Sequence, residues 1–452
     1  MPKYTINTNK TYDIPKEIKV VKFKDYFLVI SPLFANWIVL DSANQLAVFY
    51  FFVAGNSIAE ALGNEHFDEK DVTNVVTQIE AKKFCCKETH SSSENERSMH
   101  LYLTNRCNLS CPHCYMFSGK ANANELTTDE ILRVISDYRR DANGKSITLS
   151  GGEPTLHVDF DSIVRFAAEI GLEVKVLTNG TLMLPERIDK LAKYLHSVQI
   201  SIDGFSEVTN STIRGNGNFE KAILTVDLLV KHGIDTSIAI TPPIEILKIH
   251  VDEYVAFAQE LSNKYYGKSF RIKFAEELLH GRRIDPSMSS NEEYFELMKE
   301  IEERLYGPNH QIFSFVDILY NNSILDNCMF GNFAIASNGD VFFCARIGDL
   351  IPIANVRTST IKEIYEKSLI AEKATIISNL IPCKDCELRY ICGGGCRIEE
   401  FPELVKRTSF ENFDISTVSP RKCSQKIKDK FYDLMIRSNK YFYTSLWNIH
   451  GL

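Results

Sequence analysis

Ten of the twelve cysteines of this chain fall into two groups whose spacing suits iron and sulfide rather than disulfides. Residues 107 to 114 read CNLSCPHC, so Cys107, Cys111 and Cys114 follow a C-x3-C-x2-C pattern on one short loop. Three thiolates on a tight loop can hold three irons of a 4Fe–4S cube, which leaves the fourth iron open to a small molecule. A structural zinc site is the plainer alternative, but three cysteines leave its usual four-ligand set incomplete. The second group is Cys328, Cys344, Cys383, Cys386, Cys392, Cys396 and Cys423, with a C-x2-C-x5-C-x3-C run from Cys383 to Cys396. Zinc at that run is again the plainer alternative, set against a count of seven. Cys85 and Cys86 stand apart and read as incidental thiols.

A second set of residues could face a bound ligand. Gly151, Gly152, Glu153 and Pro154 follow a strand pattern. Two glycines let a backbone approach a ligand closely, and a glutamate can accept from an ammonium group. Asn179 in LTNG, Ser201 in ISIDG and Arg214 in IRGNGNF each follow a strand or turn pattern. Their plainer reading is a turn and a surface arginine. Glu276 and Glu277 follow the last strand pattern and could serve as a base or substrate contact, although charged residues there are usually solvated.

The elements that must position these residues follow from periodicity. Residues 1–87 give strands over 18–23, 26–30 and 37–40, then helices over 43–53, 57–62 and 69–83, the last capped by Asp68. Residues 88–98 are polar and serine-rich, which suits a linker. From residue 99 strands and helices alternate. Strands are expected over 100–104, 146–150, 173–177, 198–202, 236–240 and 270–274, with helices over 128–140, 160–170, 185–195, 218–232, 251–264 and 292–304. Six βα units imply an α/β fold with a parallel sheet curved into a partial (β/α)6 barrel over 99–310. Chemistry in such folds sits at the C-terminal ends of the strands, where both motif sets fall. A bridging region over 311–327 leads to a loop-rich cysteine domain over 328–425. In it Asn338-Gly339 predicts a hairpin turn between strands 333–336 and 341–343. A closing helix is expected over 424–437, and the last unit, 426–452, comprises its body and an aromatic tail, 441–447, packed on the protein.

The cysteine loop followed by Tyr115 resembles the radical S-adenosylmethionine (SAM) superfamily. The resemblance implies that SAM binds the open iron through its amino and carboxylate groups, with Tyr115 near the adenine. It also implies that Gly151, Gly152, Glu153, Asn179, Ser201 and Arg214 contact SAM. Reduction of the cluster then yields a 5′-deoxyadenosyl radical that abstracts hydrogen from carbon, and Cys107, Cys111 and Cys114 are the catalytic cluster ligands. The seven later cysteines resemble the SPASM extension of peptide-modifying members, which implies two auxiliary 4Fe–4S clusters and three in all. By that resemblance Cys383, Cys386, Cys392 and Cys423 complete one. Cys328, Cys344 and Cys396 serve the other, one thiolate short, so a substrate cysteine or an oxygen or nitrogen ligand is expected at its open iron. Residues 1–87 resemble, in layout, the winged-helix-like leader-binding domain of ribosomal-peptide maturation enzymes. A DNA-binding winged helix is the alternative, and the net charge of −8 and the lack of a basic stripe disfavour it.

The chain of 452 residues is too long for one ordinary core. Its longest apolar run, 47–54, is far short of a membrane span, and no signal-peptide pattern opens it, so a cytoplasmic protein without membrane or nucleic-acid partners is expected. The expected function is that of a radical SAM maturase, similar to sactipeptide and ranthipeptide synthases, joining a precursor peptide's cysteine to carbon as a thioether. Its partners would be the precursor peptide and an electron donor such as flavodoxin or ferredoxin. The alternatives are a carbon–carbon or carbon–oxygen cross-link, sulfatase-type formylglycine maturation, or a cluster-bearing leader carrier without catalysis.

Overall fold

A computed structural model describes residues 7–91, 98–275, 277–285, 288–308, 310 and 323–450, the last eleven of these as backbone only. The first three strands, β1 (Lys19–Phe23), β2 (Tyr26–Ser31) and β3 (Asn36–Leu40), form an antiparallel sheet in the order β1-β2-β3. Helices α1 (Ala43–Val53), α2 (Ile58–Leu62) and α3 (Glu69–Ala81) follow, and Asp68 caps α3 by accepting from the Lys70 N–H. Every residue of β3 is buried. Val29, Ile38 and Leu40 pack on the three helices. Leu28, Ile30, Trp37 and Val39 face the other way, onto Leu388, Ile391, Tyr432 and Met435. The Trp37 indole N–H donates to the Met435 carbonyl at 3.3 Å. A strand buried on both faces reads as a continuous apolar run, and NWIVL is one. On the outer edge of β3 the Gln78 carboxamide takes both backbone groups of Val39.

Within the expected linker, β4 (His90–Ser91) pairs in parallel with a distant strand described below, and residues 92–97 lie outside the described residues. Six parallel strands come next: β5 (Ser98–Tyr102), β6 (Ser146–Ser150), β7 (Glu173–Thr178), β8 (Leu195–Ser201), β9 (Asp235–Ile240) and β10 (Phe270–Phe274). Between and after them run α4 (Thr128–Asp141), α5 (Phe160–Glu169), α6 (Pro185–Leu191), α7 (Glu207–Arg214), α8 (Phe219–Lys231), α9 (Ile244–Leu247), α10 (Val251–Lys264) and α11 (Met288–Tyr306). The fourth parallel strand starts three residues before its expected position. Helix α6 stops at Leu191, one 3-10 turn follows, and buried Leu195 begins β8, with the register slip absorbed between Val174 and Lys175 of β7.

The bridging region supplies β11 (Ser323–Ile324), the partner of β4; residues 311–322 lie outside the described set. The expected hairpin is formed by β12 (Ala334–Ile335) and β13 (Asp340–Phe342), with Gly339 at φ +88°, and β14 (Ala354–Asn355) pairs with β13. The hairpin does not stand alone. Strand β12 pairs in parallel with β5, so the main sheet has nine strands, ordered β10-β9-β8-β7-β6-β5-β12-β13-β14. The cysteine-rich segment is thereby joined to the strand that leads into the first cysteine loop. The closing helix runs over Gln425–His450, past its expected end and through the aromatic tail, whose side chains lie outside the described ones. Among the described residues no helix is long and apolar enough to cross a membrane.

Candidate functional site: a thiol loop at the strand ends and two further thiol sets

The loop after β5 carries Cys107, Cys111 and Cys114. Its backbone is pinned by Cys107 N–H to the Gly119 carbonyl at 3.1 Å and by Gly119 N–H to the Asn105 carbonyl at 2.9 Å. From the far end of the sheet, Arg282 donates to Ser110 Oγ at 2.8 Å and the Arg283 N–H to the Pro112 carbonyl at 2.8 Å. Burial pushes the Cys107 thiol up to about 11, with further upward pressure from Glu153, Cys111 and Cys114. Burial raises Cys111 as well. Thiols that mutually oppose ionisation give up their protons to a cationic centre, and that coupling is how soft metal sites assemble. Three thiols on one pinned loop are a donor set that fits a cluster with one open iron.

The glycine pair after β6 also lets the chain's own backbone approach closely. A Cβ on Gly151 would stand 2.4 Å from the Thr104 carbonyl oxygen, and one on Gly152 2.4 Å from that of Arg106. The space that glycine leaves free is filled by the chain's own backbone, the Thr104–Arg106 segment entering the cysteine loop. Two hydrogen bonds seal it, Gly152 N–H to Thr104 O and Glu153 N–H to Arg106 O, both 2.8 Å.

Glu153 is fully buried. Its carboxylate accepts from Thr155 Oγ1 at 2.5 Å, Thr178 Oγ1 at 2.6 Å and the Asn179 N–H at 2.8 Å. Burial raises its pKa and these donors oppose the rise. Asn179, at the end of β7, donates to Asn108 Oδ1 on the cysteine loop at 2.9 Å. Ser201 closes β8 and is half-buried. Tyr115 is partly exposed, and its side chain meets that of Tyr102, whose hydroxyl donates to the Ala345 carbonyl beside Cys344.

Arg214 is not a surface arginine. Its side chain is 12% exposed, and Nε donates to Asp203 Oδ2 at 2.5 Å. Asp203 is fully buried and also meets His113 Nε2 at 3.1 Å and the Thr241 N–H at 2.8 Å. Burial alone would raise this carboxyl, yet the charge of Arg214, followed by His113, holds it at about 2. Asp203, His113 and Asn108 are thus site residues that spacing did not single out. Asp203 had one signal, its place two residues after Ser201 at a strand end. Asp203→Asn leaves Arg214 buried beside a neutral amide, and we expect a loss of about 3–5 kcal/mol in urea unfolding. The depressed folded pKa also fixes the sign with pH. The wild-type advantage is complete above the unfolded carboxyl range near 4 and disappears as pH falls toward 2, so the two unfolding curves converge in acid.

The later cysteines separate into two sets. Cys383, Cys386, Cys392 and Cys423 line one cavity of about 220 Å3, together with Arg421 and Lys428. Cys328, Cys344 and Cys396 form the other set: burial, then Cys328 and Cys396, raise the Cys344 thiol, and burial, then Glu399 and Cys328, raise that of Cys396. Cys392 and Cys396 lie four residues apart yet serve different sets. Gly393, Gly394 and Gly395 between them all have left-handed φ, at 67°, 75° and 71°. A side chain is strained at each, and only glycine turns three times in succession at no steric cost. Arg397 fixes the turn from inside: fully buried, it donates to the carbonyls of Thr375, Gly393, Gly395 and Asp326 at 2.8–3.2 Å.

Beside the three-thiol set, Arg346 reaches Cys396 Sγ at 3.9 Å and pairs with Glu277, Asp349 and Glu399. Glu277 therefore stands at this set, while Glu276 lies outside the described residues. Cys85 packs in the amino-terminal core with its thiol pushed up to about 11 by burial, as an inert thiol is. Among the described residues no three His, Cys, Asp or Glu groups close on a single metal ion.

Residues 101–258 match the radical SAM superfamily, and residues 327–424 match SPASM, an iron–sulfur cluster-binding domain. Among curated proteins, the chain is 34% identical over 172 residues to mycofactocin maturase MftC of Mycolicibacterium smegmatis (38% of this chain, 42% of that one). It thus spans less than half the length of that relative. It is 28% identical over 325 residues to the AdoMet-dependent heme synthase of Methanosarcina barkeri (66% and 90%). It is also 28% identical over 324 residues to the PqqA peptide cyclase of Bradyrhizobium diazoefficiens (67% and 81%). The solved structure of native anSMEcpe with bound AdoMet shares the fold, with a TM-score of 0.55 and 19% identity over 76% of this chain and 99% of that one.

Proposed function

We propose that this chain, which carries a radical SAM domain followed by a SPASM domain, matures a ribosomally made precursor peptide in the cytoplasm by forming a thioether. The observation that carries the reading is the division of the seven later cysteines into a set of four and a set of three. Four thiols complete one cluster from protein alone. Three leave an iron for a ligand from outside, and a substrate cysteine is the natural one. Relatives named as a maturase and a peptide cyclase support a peptide substrate. The heme synthase is a reminder that the shared core serves other substrates, so the choice rests on what surrounds the core here.

In this reading the sheet β1–β3 with α1–α3 is the winged-helix-like leader-binding domain. A leader strand added at β3 displaces the Gln78 carboxamide from Val39. Cys107, Cys111 and Cys114 hold the first of three clusters, and Gly151–Glu153, Asn179, Ser201, Arg214 and Tyr115 shape the SAM cavity. Bound SAM and clusters supply a 5′-deoxyadenosyl radical and an electron acceptor. With them bound, the chemistry supplied would be removal of one hydrogen atom from a substrate carbon and acceptance of one electron as the substrate thiol, its proton released, joins that carbon. The product is two hydrogens lighter. A one-electron donor of the flavodoxin or ferredoxin class restores the reducing electron.

The second reading is a carbon–carbon or carbon–oxygen cross-link, and it too has an observation behind it. Glu399 stands three residues from Cys396, and its carboxylate shares Arg346 with that thiol's surroundings. A glutamate ligand there would close the third cluster and leave no place for a substrate cysteine. Mass analysis of a cysteine-containing precursor, co-expressed anaerobically with this chain and then alkylated, decides between them. Loss of two hydrogens per cross-link with the cysteine blocked supports the thioether. The same loss with every cysteine alkylated selects the second reading.

A further inference from the structure

Three cations line the cavity of the four-thiol set, Arg389, Arg421 and Lys428; among the described contacts Arg421 is the one that reaches a thiol sulfur. Arg421 is 7% exposed. Its Nη1 donates to Cys392 Sγ at 3.5 Å. Its Nη2 is anchored on Glu400 Oε1 at 2.9 Å. Its Nε is buried and has no partner among the described residues. A buried guanidinium N–H with nothing to accept it costs free energy, so an orphaned donor lining a cavity with four thiols marks where an acceptor belongs. Lys428 also lines the cavity, but Glu387 takes its ammonium at 2.8 Å. The arginine at the three-thiol set is arranged differently: Arg346 is 24% exposed and is surrounded by Glu277, Asp349 and Glu399.

We propose that Arg421 sets the reduction potential of the cluster held by Cys383, Cys386, Cys392 and Cys423, by donating hydrogen bonds to its thiolate and sulfide sulfurs. The inference rests on the cluster assignment given above. Reduction adds one electron to the cluster and moves no proton or group. A positive donor at the sulfurs stabilises the added negative charge, and hydrogen bonds to sulfur and local charge are known levers on such potentials. Glu400 works against it by drawing the guanidinium and adding a negative charge. Arg421 is a positioning residue in this sense and touches no substrate.

The opposed roles give a test with two signs. The reconstituted full-length protein, with iron and sulfide counted first, is titrated anaerobically under electron paramagnetic resonance as wild type, Arg421→Gln and Glu400→Gln. Arg421→Gln should make one cluster at least about tenfold harder to reduce, a shift of about 59 mV downward, and leave the other signals in place. Glu400→Gln should move the same cluster the opposite way. A merely structural arginine gives no shift, or shifts of one sign in both variants, and either result overturns the proposal. If Arg421→Gln fails to retain the cluster, Glu400→Gln decides alone, and a downward or absent shift sinks the idea. A wild-type protein whose iron count shows no cluster at this set refutes the cluster assignment itself, before any titration.

Discussion

Replacing Cys107, Cys111 and Cys114 together by alanine should reduce 5′-deoxyadenosine formation by at least about a thousandfold, because no side chain supplies one-electron chemistry in place of the cluster. The same variant should lose about four irons per chain and keep the remainder. The structure gives a reason for so clean a loss. The loop is held by backbone hydrogen bonds at Cys107 and Gly119 and by Arg282 and Arg283, none of which uses a thiol. The Thr104–Arg106 segment is clamped against Gly151 and Gly152 by main-chain contacts alone. The later cysteines lie on residues 328–423, on separate loops organised by Arg397. Anaerobic reconstitution, iron analysis and chromatography of the SAM products make the measurement. Retention of a tenth of the wild-type product, or loss of all iron, would contradict the picture of an independent loop.

How much of this could be read before the structure depends on whether the signal was local. The six parallel strands were legible because each is a short apolar run followed by a helical period, and β6 and β10 lie where the pattern put them. The grouping of the later cysteines came from the family resemblance and not from local spacing, since Cys344 and Cys396, or Cys392 and Cys423, are far apart along the chain. What escaped was held by long-range pairing. Ala334 lies beside His100 and Trp37 beneath Met435, and nothing in either local sequence names its partner. Asp203 and His113, the partners of Arg214, escaped for another reason. They are polar residues of ordinary type, and only burial, which sequence does not display, makes them partners of Arg214 in the interior. The glycine pair was found, but the backbone neighbour it admits was not: a ligand and the chain's own backbone make the same demand for a missing Cβ.

The division of the later thiols makes the sharper claim about function, since it requires two activities to come apart. Cys396→Ala should leave 5′-deoxyadenosine formation within about twofold of wild type, because the first cysteine loop and its clamps are untouched. It should cost about four irons per chain and reduce cross-linked precursor by at least about a hundredfold, since the electron and the thiol of the C–S step both lose their site. The backbone at this position is dictated by the left-handed glycines before it and by the carbonyls around Arg397, so the variant should fold as wild type does. Cys386→Ala, in the four-thiol cavity, serves as the companion, because it removes a cluster while leaving the three-thiol set intact. Under the thioether reading, a cysteine of the precursor is protected from alkylation on anaerobic mixing, before any reaction, in the Cys386 variant but not in the Cys396 variant. If both variants protect it equally, the substrate thiol binds elsewhere. If Cys396→Ala cross-links the precursor at the wild-type rate, the three-thiol set has no part in the bond, and the reason for a thioether disappears with it.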